Sequence, residues 1–122
     1  MTNASELAAR YIEIWNEIDP ARRKGLMAAT WTEDAAYVDP MMQGEGRDGI
    51  DAMIAGVQKQ FPGHRFTLAG APDSHNNRLR FSWSLAASGA PPVARGTDFC
   101  VVSLDGKLAS VTGFLDEVAA KA

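Results

Sequence analysis

The sequence predicts a single α+β domain, with three helices from the N-terminal half and a curved antiparallel sheet forming a cone around one pocket. Three observations predict it. Apolar residues recur at steps of three and four in the first half of the chain; the period changes to two after residue 63; and no linker or internal repeat divides the 122 residues. That length suits one domain, residues 1–122.

Leu7, Tyr11, Ile14, Trp15 and Ile18 share one helical face and predict a helix over 5–18. Asp19-Pro20 restarts the chain, because Asp caps a helix and Pro suits its first turn, so a second helix runs to Thr30 with Leu26, Met27 and Trp31 as its apolar positions. Ala35–Asp39 reads as a short strand ended by Pro40, and Met41–Arg47 as a loop. Asp48 is expected to cap a third helix carrying Ile50, Met53, Ile54 and Val57, which Phe61-Pro62-Gly63 stops. Four strands then follow in meander: His64–Ala69; Leu79, Phe81, Trp83 and Leu85 alternating with Arg78, Arg80, Ser82 and Ser84; Val93–Ser103; and Leu108–Leu115. Asp73–Asn77 and Asp105-Gly106 are the turns. A long twisted sheet curls, and helices on its concave side leave a cavity. The last two strands are apolar on both faces, which predicts a cover for the convex face, most simply a second copy of the chain.

Bulk properties exclude several function classes. The net charge is −3, and the one tight basic cluster, Arg22-Arg23-Lys24, reads as a solvated helix face, so no nucleic-acid partner is expected. A lone cysteine, Cys100, forms no internal disulfide and reads as a buried, inert thiol. The first six residues carry neither a basic start nor an apolar stretch. No membrane association is expected, and the expected location is the cytoplasm. His64 and His75 lie far apart without carboxylate or thiol at ligand spacing, so neither a metal site nor a cofactor is expected.

Three stretches carry a resemblance to a known family: Arg10-Tyr11-Ile12 with Trp15-Asn16 and Asp19; Thr32 through Pro40; and Gly96-Thr97-Asp98-Phe99 running to Asp105-Gly106-Lys107. In this order they resemble the nuclear transport factor 2-like superfamily, in particular its SnoaL-like polyketide cyclase and ketosteroid isomerase branches, over nearly the whole chain. The resemblance implies a cystatin-like α+β roll. Tyr11, Asp39 and Asp98 fall where the bacterial ketosteroid isomerases carry their catalytic tyrosine and two aspartates. It therefore implies that Asp39 moves a proton next to a carbonyl, while Tyr11 and a neutral Asp98 donate hydrogen bonds to the enolate oxygen. Those isomerases carry a further tyrosine in the third helix, where Ile54 stands here.

The residues themselves leave alternatives open. Asp39 reads either as a turn residue ending a strand or, on the same face as Tyr37, as a carboxylate in an apolar pocket. Asp98 is unexpected inside an apolar strand and reads either as a hydrogen-bonded structural residue or as a site residue. Tyr11 fits core packing as well as catalysis. Trp15, Tyr37, Met53, Phe81, Trp83 and Leu115 are expected to wall the pocket. A lone His64 at a strand start reads as solvated, and Arg95, three residues before Asp98, points to the opposite face. Three functions follow: a cofactor-independent isomerase or cyclase acting on a small apolar carbonyl compound, a non-catalytic binder of a small hydrophobic ligand, or a dimeric interaction module with a filled pocket.

Overall fold

A computed structural model describes residues 3–119. The elements are α1 (Ala4–Asn16), α2 (Pro20–Thr30), β1 (Trp31–Val38), β2 (Gln43–Glu45), α3 (Gly46–Gln60), β3 (His64–Leu68), β4 (Asp73–His75), β5 (Arg78–Ala87), β6 (Ala94–Val102) and β7 (Leu108–Val118). Three helices and a curved, unclosed sheet make the α+β class. Among the described residues, no helix is long and apolar enough to cross a membrane.

The first helix buries Leu7, Tyr11, Ile14 and Trp15, and Asn3 caps it by accepting from the amides of Ser5 and Glu6. It stops two residues short of the predicted end. Glu17 is already extended, and Ile18 is 78% exposed instead of joining the apolar face. Asp19 does cap α2, accepting from the Ala21 amide. Helix α3 starts at Gly46 without a side-chain cap, so Asp48 lies in its first turn and is not the cap. The basic cluster also departs from its predicted role. Arg23 is buried: its guanidinium pairs with Asp51 at 2.5 Å and donates to the Glu17 carbonyl at 2.7 Å and Gln58 Oε1 at 2.9 Å. Gln58 in turn donates to the carbonyls of Trp15 and Glu17. One cation thus ties α2 and α3 to the end of α1.

The sheet order is β2-β1-β7-β6-β5-β3, with β4 also paired to β5. All pairings are antiparallel except β1 with β7, which is parallel, so the sheet is mixed and not wholly antiparallel. The antiparallel expectation came from consecutive strands joined by short turns; β1 instead meets the last strand of the chain, whose direction no turn constrains. β1 also begins four residues early, at Trp31, because Glu33 and Asp34 disguise its exposed stretch. Two short strands, β2 and β4, form inside the predicted loop 41–47 and turn 73–77. β7 extends to Val118, three residues beyond the predicted end.

Alternation along β5 buries Leu79, Phe81, Trp83 and Leu85 against the helices. On the other face, register places Phe99 beside Thr112, Thr112 beside Val38, and Thr97 beside Phe114. Val38, Phe99 and Phe114 are exposed apolar side chains there, interspersed with threonine and serine.

Removing the Arg23 guanidinium strands Asp51 and takes a donor from two further acceptors, the Glu17 carbonyl and Gln58 Oε1, at a helix junction. Arg23→Met is expected to lower the unfolding free energy by about 3 kcal/mol in urea denaturation. A loss below about 1 kcal/mol would mean that this ion pair behaves as a surface one.

Candidate functional site

Residue 98 belongs to the inward face of β6, and its carboxylate is 2% exposed. Donors from two other elements meet it. The Tyr11 hydroxyl from α1 donates to Oδ2 at 2.6 Å, and the Trp83 indole Nε1–H from β5 donates to Oδ1 at 3.1 Å. Gly96 permits the second bond, because a Cβ there would run into the Trp83 ring and stand 2.7 Å from the Phe114 carbonyl. Burial pushes the Asp98 carboxyl up from its usual 3.8 to about 6; the bonds from Tyr11 and Trp83 oppose the rise, and the charges of Asp39 and Asp116 add to it. Burial, reinforced by the Asp98 charge, also raises the hydroxyls of Tyr11 and Tyr37 and the thiol of Cys100.

Asp39 follows β1 directly. Its Oδ1 accepts from the amides of Met41 (2.8 Å) and Met42 (3.0 Å), and its own amide donates to the Met42 carbonyl, an Asx turn built on Asp-Pro. Oδ2 accepts from the Tyr37 hydroxyl at 2.6 Å. The structure therefore combines the two readings of Asp39: it is the turn residue, and it lines the cavity.

The two aspartates converge on Gly113 of β7. A Cβ at this glycine would stand 3.0 Å from Asp98 Oδ1, 3.1 Å from Asp39 Cβ and 3.1 Å from the Tyr37 hydroxyl. Asp98 Oδ1 and Asp39 Cβ are therefore no farther apart than the first two distances together. Both carboxylates line one cavity of about 750 Å³, within the range of ~300–1,000 Å³ usual for ligand sites. Trp15, Phe66 and Trp83 form a chain of edge-to-face rings along its wall, with Tyr37 packed on Trp15.

Tyr11, Asp39, Asp98, Trp15, Tyr37, Met53, Trp83 and Leu115 line this cavity. Phe81 does not. Its ring lies edge-on to Tyr11 at 5.0 Å and is 2% exposed, so it is packing beneath the site. It shares a face with Trp83 but sits farther along β5, a distinction that alternation cannot make. Ile54 is fully buried and also outside the lining. His64 packs edge-on to Phe61 and bonds to the Pro62 carbonyl, outside the lining, and Arg95 is exposed on the outer face. Reading the sequence missed Gly113, Gly96, the amides of Met41 and Met42, and the role of Trp83 as a donor. Of these only the Asp-Pro turn had a local signal.

An α+β cone with a carboxylate-bearing apolar cavity defines a class of pocket proteins. Within it, the chain belongs to the SnoaL-like domain family, whose model matches residues 8–111. A SnoaL-like family protein of Agrobacterium tumefaciens C58, named as a candidate isomerase, is 47% identical, with a TM-score of 0.91 over 96% of this chain and 100% of that one. A SnoaL-like protein of unknown function from Burkholderia thailandensis E264 has the same fold at 12% identity, TM-score 0.73, over 93% and 94% of the two chains. So does a candidate polyketide cyclase of Sinorhizobium meliloti at 13% identity, TM-score 0.69, over 88% and 93%. No curated protein matches the chain.

The folded protein holds the Asp98 proton more tightly than the unfolded chain does. Folding therefore takes up a proton between pH 3.8 and about 6, and this contribution to stability is lost as pH rises through that window. In urea unfolding, the stability of wild type relative to Asp98→Asn is expected to fall by about 2 kcal/mol from pH ~4 to ~7. A difference that is flat or rising would remove the buried-acid assignment.

Proposed function

We propose that the cavity takes a small apolar carbonyl compound and that the protein moves a proton on it, as a cofactor-independent isomerase or cyclase. The observation that carries this reading is the convergence of Asp39 and Asp98 on Gly113 within one apolar cavity. In the proposed cycle, the Asp39 carboxylate accepts a proton from the carbon next to the carbonyl, and the C–H electron pair moves into an enolate. Neutral Asp98 and Tyr11 between them hold two O–H groups, one of which donates to the enolate oxygen. Asp39 then returns its proton to another carbon; in the cyclase case the enolate carbon instead attacks a second carbonyl carbon of the same molecule, the C=O π pair of that carbonyl becomes an alkoxide, and Asp39 gives its proton to the alkoxide. The 47%-identical candidate isomerase supports this reading.

A second reading, a non-catalytic binder, is favoured by one feature: the Tyr11 and Tyr37 hydroxyl protons are already committed to Asp98 and Asp39. A filled interaction module is disfavoured by a cavity of about 750 Å³. The proposal includes a homodimer through the outer sheet face. There, exposed Val38, Phe99 and Phe114 are flanked by Arg78 and Arg80 of β5 on one side and by Asp116 and Glu117 of β7 on the other, a distribution that a two-fold copy complements. A cytoplasmic setting suits the free thiol of Cys100.

Deuterium exchange at the α-carbons of 2-tetralone, followed by proton NMR, separates the first two readings. Wild type is expected to accelerate exchange over buffer, and Asp39→Asn to slow the protein-catalysed rate about 10²–10⁴-fold; wild-type exchange at the buffer rate would leave the binder. For the assembly, sedimentation at micromolar concentration is expected to give a dimer and Phe114→Asp a monomer; a monomeric wild type would overturn the interface.

A further inference from the structure

The hydrogen-bond inventory of the cavity points to a second class of ligand. Oδ1 of Asp39 is occupied by the Met41 and Met42 amides and Oδ2 by Tyr37, which leaves one of a carboxylate's roughly four lone-pair sites. Asp98 receives Tyr11 and Trp83. The hydroxyl protons of both lining tyrosines and the indole proton of Trp83 are thereby spent. The other lining indole, Trp15, keeps Nε1 buried in the protein without a hydrogen-bond partner, closed off from the cavity. Gln43 and Gln60 are solvent-exposed lining residues, and among the described lining residues there is no lysine, arginine or histidine.

The inner end of the cavity is therefore an acceptor surface with negative charge and no counter-charge. Its walls are the rings of Trp15, Tyr37, Phe66 and Trp83, whose faces carry the negative end of the ring quadrupole. An anionic ligand would lose its water there and meet no cation. A ligand whose head is both positive and a donor would meet a carboxylate and ring faces, while its apolar part would lie against Met42, Met53 and Leu115.

We propose that the cavity binds lipophilic ammonium ions, the charged nitrogen donating to the free lone pair of Asp39 and the hydrocarbon body filling the aromatic and methionine-lined space. The site is the cavity of the proton-transfer reading, but none of that chemistry is used. At pH 8 Asp98 is ionised as well; the titratable groups that act on it are Tyr11 of α1, Tyr37 of β1, Asp39 after it, Cys100 on its own strand and Asp116 of β7, and burial keeps the two tyrosines and the thiol neutral.

Three ligands with one bicyclic body test this by isothermal titration calorimetry of the full chain at pH 8: 2-aminotetralin, 2-tetralone and tetralin-2-carboxylate. The amine is expected to bind at least about ten-fold tighter than the ketone, and the carboxylate to give no binding. Asp39→Asn is expected to abolish the preference for the amine. In carboxyl-labelled wild type, the Asp39 resonance is expected to shift with the amine and not with the ketone, a measurement independent of whether the variant folds. An amine that binds no tighter than the ketone, or an Asp39 resonance that ignores it, overturns the proposal. Failure of α-carbon exchange on 2-tetralone leaves these affinities as they are, and loss of the amine preference leaves the exchange rate as it is, so the two readings fall separately.

Discussion

A carboxylate in the interior of an apolar sheet must be met by donors, and meeting Asp98 organises this molecule. A buried unsatisfied charge costs several kcal/mol, more than a marginally stable domain can tolerate. The donors come from Tyr11, 87 residues away in α1, and from Trp83 on the neighbouring strand. Together they set where the first helix crosses the sheet and how the Trp83 ring lies along it. The bare backbone of Gly96 leaves room for that ring, and the bare backbone of Gly113 leaves room for Asp98 Oδ1, the Asp39 side chain and the Tyr37 hydroxyl. These are two absences of side chain on adjoining strands: a Cβ at Gly96 would overlap the Trp83 ring, and one at Gly113 would crowd Asp98 Oδ1 at 3.0 Å.

A polar frame outside the cavity keeps the walls in place. Arg23, Asp51 and Gln58 join the three helices, and Asn16 exchanges two hydrogen bonds with the Phe66 backbone, linking α1 to β3. Trp15 lies next to this frame in sequence and faces the cavity, with its carbonyl held by Gln58. Polar groups at helix ends thus hold apolar groups at a fixed spacing, so the interior stays open instead of collapsing onto its own aromatic rings. The open interior makes ligand binding the shared element of both functional readings.

Parts of this site were legible in the chain because they break local rules. An aspartate inside Gly96–Val101 opposes strand propensity, and Asp39 before a proline ends a strand on the face of Tyr37; both stand out without coordinates. Tyr11 stands out less, since a buried helical aromatic looks alike whether it packs or donates. Arg23 was misread for the opposite reason: a cation among cations is ordinarily solvated, and its partners Asp51 and Gln58 lie 28 and 35 residues away. Phe81 was misread because alternation assigns a face but not a depth along the strand.

By itself the sequence determined what depends on neighbours along the chain: the helical faces of Leu7–Trp15, the Asp19-Pro20 cap, the alternation of residues 78–85, and the α+β class these imply. Such features follow from the 3.6- and 2-residue periods and from capping chemistry, which act over a few residues. Only the tertiary structure decided that β1 runs parallel to β7, that Tyr37 spends its proton on Asp39, that Trp83 spends its own on Asp98, and that Asp39 and Asp98 both come to Gly113. Register between distant strands and the crossing of a helix over a sheet are set by side chains far apart in sequence, and a hydroxyl proton takes its direction from whichever acceptor that packing brings within reach.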